Sequence, residues 1–154
     1  MEDSRGEQDD RSAEATYRAI GLFIDGFSSV EYTLRYYLAV EVKLDMNYFH
    51  PVLTHDFALL CTAVHEVFGQ TLETEEKKKE LKQLIGRARE LNDLRVKIVH
   101  GQWWPHFEGG TLLHVSRRSL KENHSAEMAA HLTKQAELTR QLFWELQLLL
   151  LISS

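Results

Sequence analysis

Two charged side chains stand where the pattern of the chain asks for apolar ones, and a histidine follows the second. Glu31 interrupts the stripe formed by Phe27, Leu34 and Leu38, and Arg95 interrupts the stripe that carries Leu91 and Ile98. A charge on a core-facing position is costly unless it is paired and hydrogen-bonded, so two opposite charges on such stripes predict a Glu31–Arg95 pair. Asn92, one turn before Arg95, is placed to join it. A buried salt bridge that only fixes helix register has the same signature, and both readings stand. His100 follows Arg95 by five residues, about 140° round an ideal helix. The two share a face only if the helix ends or distorts there, and Gly101 supplies such an end. Imidazole titrates near neutral pH and guanidinium does not, so the two differ in the chemistry they offer. Lys78, Lys82 and Arg89 lie on the azimuth of His100 as a basic stripe, broken by Asp93.

Other groups are weaker candidates. The eight histidines include no His-Glu-x-x-His motif and no pair at ligand spacing on one helix, so neither a metal site nor a cofactor is expected. His106 and His114 are placed to face each other across a hairpin. Trp103, Trp104 and Phe107 follow His100 closely; they suit either hairpin packing or the stacking of bases. Arg117, Arg118 and Lys121 are candidate phosphate contacts, and surface solubility accounts for them equally well. Cys61, the single cysteine, sits in the apolar run Phe57–Leu60 and reads as a buried small hydrophobe in a reducing compartment. No glycine-rich phosphate loop is present.

These residues require helices to hold them. Of the 154 residues 44% are hydrophobic and 27% charged, which matches an ordinary globular domain, and Pro occurs only twice. Residues 1–12 lack apolar periodicity and are expected to be a disordered acidic tail, with 13–154 forming one domain. Amphipathic patterns predict helices from about Glu14 to Leu44, from after Thr54 to Phe68, from near Thr74 to Gly101, and from about Ser125 to Ile152. Gly86 lies inside the third pattern, where it suits close approach of a neighbouring helix. Gln102–Phe107 and Thr111–Ser116 flank Glu108-Gly109-Gly110 as a hairpin. The expected fold is therefore all-α, a four- to five-helix bundle with a small β-hairpin inserted before the last long helix.

The net charge of −5 is uneven. Six acids against Arg5 and Arg11 concentrate it in the first 14 residues, whereas eight basic residues between Lys77 and Lys97 face only Glu80, Glu90 and Asp93. Such a segment steers a polyanion, or forms a solvated face laced with ion pairs. The N-terminus is acidic and lacks an apolar core, so no signal peptide is expected. The run Leu146–Ile152 is too short to span a bilayer, and a cytoplasmic location without membrane attachment follows.

The stretch from Leu91 to Gly101, with Arg95, four intervening residues, His100 and then Gly101, resembles the signature of HEPN domains. In that superfamily the motif lies late in a helix of a four- or five-helix bundle. Phe27, Glu31, Leu34 and Arg35 in the first helix are similar to small bacterial members. The resemblance implies a metal-independent endoribonuclease of toxin–antitoxin or antiphage systems, restrained by an antitoxin or other regulatory protein. It would act as a homodimer whose two motifs meet in a composite site. Arg95 would place positive charge on the reacting phosphate and His100 would act as base or acid during attack by the RNA 2′-hydroxyl. Glu31 and Asn92 would support them, and Arg89, Lys97, Arg117 and Arg118 would hold RNA. The residue after the Arg is commonly Asn or another polar residue in the family and is Val96 here. That departure favours the alternative, a non-catalytic HEPN-like module that dimerises and binds a partner or nucleotide.

Overall fold

The computed structural model describes residues 3–107, 109–115 and 122–151. It is an all-α helical bundle in class, with a small antiparallel sheet inserted before the last helix. Helix α1 spans Asp3–Glu41, a 3-10 turn Met46–Tyr48 leads into the short α2 (Phe49–Val52), α3 spans Phe57–Thr71 and α4 Glu75–His100. Strands β1 (Gln102–Trp104), β2 (Thr111–Val115) and β3 (Glu122–Ser125) precede α5 (Met128–Leu151). No helix among the described residues is long and apolar enough to cross a membrane.

The stretch Asp3–Ser12, expected as a disordered tail, is the start of α1. This end of the helix is held from outside. The His106 ring donates through Nδ1 to the Asp9 carbonyl at 3.1 Å. At the other end of α1 the chain turns through Lys43 with φ of 54°. Asp56 caps α3: its carboxylate accepts from the Leu59 amide at 2.9 Å, while the Thr54 hydroxyl accepts from the Asp56 amide.

The chain falls into two compact units, where the sequence suggests one domain. The first comprises residues up to Asp25 with Asp93–Leu138, the second Gly26–Asn92 with residues from Thr139 onward. In the second unit, Phe27, Val30 and Leu34 of α1 are buried, as are Leu60, Val64 and Phe68 of α3, Leu81 and Ala88 of α4, and Leu142 and Leu146 of α5. The Phe27 and Phe57 rings meet with centroids 4.9 Å apart. The stripe of Phe27, Leu34 and Leu38 on α1 is buried with Val30 beside it, and Glu31 stands half-buried at its edge. An ion pair between Arg87 and Glu145 joins α4 to α5. Gly86 faces open space, with nothing within 4 Å of a Cβ placed there, so it serves no close approach.

In the first unit, Thr16, Ala19 and Phe23 of α1, Ile98 of α4, Leu112 of β2 and Met128 and Leu132 of α5 are buried. The sheet has the order β1-β2-β3, with Trp104 opposite Thr111 and Leu113 opposite His124. The expected hairpin is therefore shorter, and a third strand is added to it. β1 stops at Trp104, and Pro105–Gly110 forms the connection. Gly109 and Gly110 have φ of 67° and 87°, conformations open to glycine, and Gly110 lies so close to Thr16 that a Cβ would stand 2.5 Å from its hydroxyl. Their carbonyls accept from the Ala129 and Met128 amides at 3.2 and 3.0 Å. The connection thus caps α5, whose first amides have no partner within the helix.

Candidate functional site

Helix α4 ends at His100 because the chain folds back over its last turn. At Gly101 a Cβ would strike the side chain of Leu112 and stand 2.6 Å from the Lys97 carbonyl and 3.0 Å from that of Leu113. Only glycine lets β2 come this close. The Trp103 indole N–H donates to the Ile98 carbonyl at 3.0 Å, satisfying one of the terminal acceptors that the helix leaves open. Lys97 and His100 in this last turn complement the negative end of the helix.

Because α4 stays helical through His100, the offset of about 140° between Arg95 and His100 holds, with about 7.5 Å of rise. The helix does not bring them onto one line. They are instead the two edges of an outward arc, opposite the buried Leu91 and Ile98. Arg95 is half-buried and His100 exposed. Between them on the arc lie Val99, Asn92 and Val96; the two valines are 53% and 37% exposed. Two apolar side chains are therefore in water between a cation and an imidazole. Asn92 is half-buried, and its Oδ1 is buried with no hydrogen-bond partner among the described residues.

Glu31 takes a partner on its own helix. Arg35 Nη2 donates to Glu31 Oε1 at 2.6 Å, and the other guanidinium nitrogen, Nη1, lies 3.2 Å from His55 Nδ1. Since guanidinium only donates, Nδ1 accepts and the neutral imidazole carries its proton on Nε2. Arg35 is buried, Glu31 half-buried and His55 exposed. This Glu31–Arg35–His55 chain was missed in the sequence, although the Glu-x3-Arg spacing that makes it is visible there.

Part of the basic segment of α4 is paired. Lys78 meets Glu75 at 2.8 Å, Lys77 meets Glu73 at 3.7 Å and Arg87 pairs with Glu145. Arg89, exposed, donates to the Thr62 hydroxyl at 3.0 Å and hydrogen-bonds the Cys61 thiol. Burial pushes the Cys61 thiol above its ordinary value of 9.0, and the bond to Arg89 and its charge offset part of that rise. Lys97 is exposed. Arg117 and Arg118 lie outside the described residues.

His114 pairs with Asn123 across β2 and β3, and His106 lies beyond the end of β1, so the two do not face each other. Among the described residues no group of three His, Cys, Asp or Glu side chains is placed to hold a metal ion. The three aromatic residues after His100 divide. Trp103 is half-buried and bonded to α4, whereas Trp104 and Phe107 line a cavity of about 540 Å³ with Pro105, His106 and Thr111. Comparison with protein-family models, with characterised proteins and with solved structures gives no match for this chain.

Proposed function

We propose that the protein is a HEPN-type endoribonuclease that cleaves RNA through its own 2′-hydroxyl without a metal, as a cytoplasmic homodimer in toxin–antitoxin or antiphage defence. The observation that carries this reading is the outward arc on α4, with Arg95 and His100 at its edges and exposed valines between them. Side chains about 140° apart on one helix do not converge on a single phosphate. About a two-fold axis parallel to the helices, however, the Arg95 edge of one protomer meets the His100 edge of its partner. Val96 and Val99 would be buried there, which gives the pairing an apolar driving force. Each composite site then holds a permanent cation to stabilise charge on the phosphorane-like transition state. Its imidazole takes the 2′-hydroxyl proton or supplies one to the leaving 5′-oxygen. A regulatory protein covering the arc would silence both sites.

The exposure of Val96 favours a second reading, since the same apolar strip serves a module that dimerises and binds a partner without catalysis. Incubation of a mixed RNA pool in EDTA separates the two. Wild type should cut and leave 2′,3′-cyclic phosphate ends. Arg95→Ala and His100→Ala, confirmed as folded, should each cut about a hundredfold or more slowly. A folded, dimeric wild type that leaves the pool intact would overturn the catalytic reading in favour of the module.

A further inference from the structure

The cavity lined by Trp104, Pro105, His106, Phe107 and Thr111 has no part in the cleavage step described above. Its volume of about 540 Å³ is that of a small-ligand pocket. Trp104 is 39% exposed and Phe107 60% exposed. They are not on a loose loop. The Phe107 amide donates to the Trp104 carbonyl at 3.2 Å, and the Phe107 carbonyl accepts from the Gly110 amide at 2.9 Å and the Thr111 hydroxyl at 3.1 Å. Contact of Gly110 with Thr16 fixes the connection to α1. The rings are held outward by a set backbone, which lowers the entropy lost when a ligand stacks on them.

Among the side chains at this cavity His106 and Thr111 offer acceptors, and Trp104 carries an indole N–H donor. His106 Nδ1 must carry a proton to donate to the Asp9 carbonyl, which leaves Nε2 of the neutral ring as an acceptor. The Thr111 hydroxyl spends its proton on the Phe107 carbonyl and keeps lone pairs. Two aromatic faces with acceptors at the rim fit a planar ring that has N–H donors on its edge. On the α1 side the cavity wall is joined to Asp9 through His106, and at the end of α4 Lys97 and His100 are exposed. Trp104 follows His100 by four residues, a reach of at most about 14 Å.

We infer that this cavity is a subsite for an unpaired nucleobase of the RNA strand, with the strand's phosphates on the α4 side. This rests on the ribonuclease reading for the identity of the strand. Aromatic platforms beside a cationic track are how unpaired nucleic acid is held without sequence readout, each stacked base adding about tenfold or more in affinity.

The test uses a fluorescent 2′-O-methyl RNA hexamer, which lacks the attacking hydroxyl, and follows its anisotropy with the full chain. Trp104→Ala and Phe107→Ala should each weaken binding about tenfold or more, and Trp104→Phe should restore most of it. Thermal melts of the variants establish that they are folded. Equal affinity of wild type and both alanine variants would overturn the subsite, as would a wild type that does not bind the hexamer. Cleavage of unmodified RNA separates the two claims. Loss of binding by the alanine variants with no cleavage by wild type would sustain the subsite and sink the catalytic reading. Cleavage that depends on Arg95 and His100, with binding indifferent to Trp104 and Phe107, would do the reverse.

Discussion

The two glycines of α4 and its end should respond to alanine with opposite signs. Gly86 lies in the helix with open space around it, so Gly86→Ala adds no clash and removes the backbone freedom that glycine loses on folding. The expected gain is about 1 kcal/mol. At Gly101 the added carbon would meet two backbone carbonyls, of Lys97 at 2.6 Å and Leu113 at 3.0 Å, besides the Leu112 side chain. A side chain can rotate away, whereas a carbonyl moves only with its helix turn or strand. Overpacking costs about 1–3 kcal/mol, and two backbone obstacles place Gly101→Ala near the upper end. In urea titrations followed by far-ultraviolet circular dichroism, with a slope of about 2 kcal/mol per M, the midpoint should rise by about 0.5 M for Gly86→Ala. It should fall by about 1 M or more for Gly101→Ala. A Gly101→Ala variant as stable as wild type would refute the close seating of β2 on the end of α4. The fixed position assigned to His100 would fall with it.

Two further outcomes follow from the second unit. Glu31→Gln removes the charge that answers the buried Arg35 guanidinium, leaving His55, so stability should fall by about 1.5–3 kcal/mol. The double replacement Glu31→Gln with Arg35→Met should recover most of that loss in thermal melts, and a double variant no better than the single would sink the account. The Cys61 thiol is raised above 9.0 by burial, partly offset by Arg89, so the folded state holds its proton more tightly than the unfolded chain. Its contribution is complete below about pH 9 and is lost as pH rises through the folded value. Wild type should therefore lose stability above pH 9 more steeply than Cys61→Ala. Rapid stoichiometric labelling of native protein by a disulfide reagent at pH 8 would contradict the burial.

Much of the frame could be read from the chain. The limits of α4, Thr74 or Glu75 to His100, follow from its acid-first, base-last order and from Gly101. The sheet followed from Gly109-Gly110 between two apolar segments. The third strand did not, because Glu-Asn-His-Ser lacks alternation and is ordered by pairing with β2. Residues 3–12 read as a tail because their support comes from the Pro105–Gly110 connection, about a hundred positions away in sequence. Glu31 was matched to Arg95 from stripe positions alone, yet Arg35 is a single turn away on the same helix and no tertiary arrangement is needed to bring it close. Conversely, the division of Trp103 from Trp104 and Phe107 depends on which ring reaches a helix carbonyl, a matter of strand twist that residue types do not encode.

The Pro105–Gly110 connection also sets how this part of the molecule can come apart. It holds the Asp9 turn of α1 through His106, seats Gly110 on Thr16, and supplies the acceptors for the first two amides of α5. Peeling the sheet away would uncover a helix start and release another helix end in the same event. The sheet, the first turns of α1 and the beginning of α5 should therefore open together as one cooperative block rather than fray one by one. The amides of Met128 and Ala129, which at a bare helix start would exchange with solvent freely, should report the opening of that block.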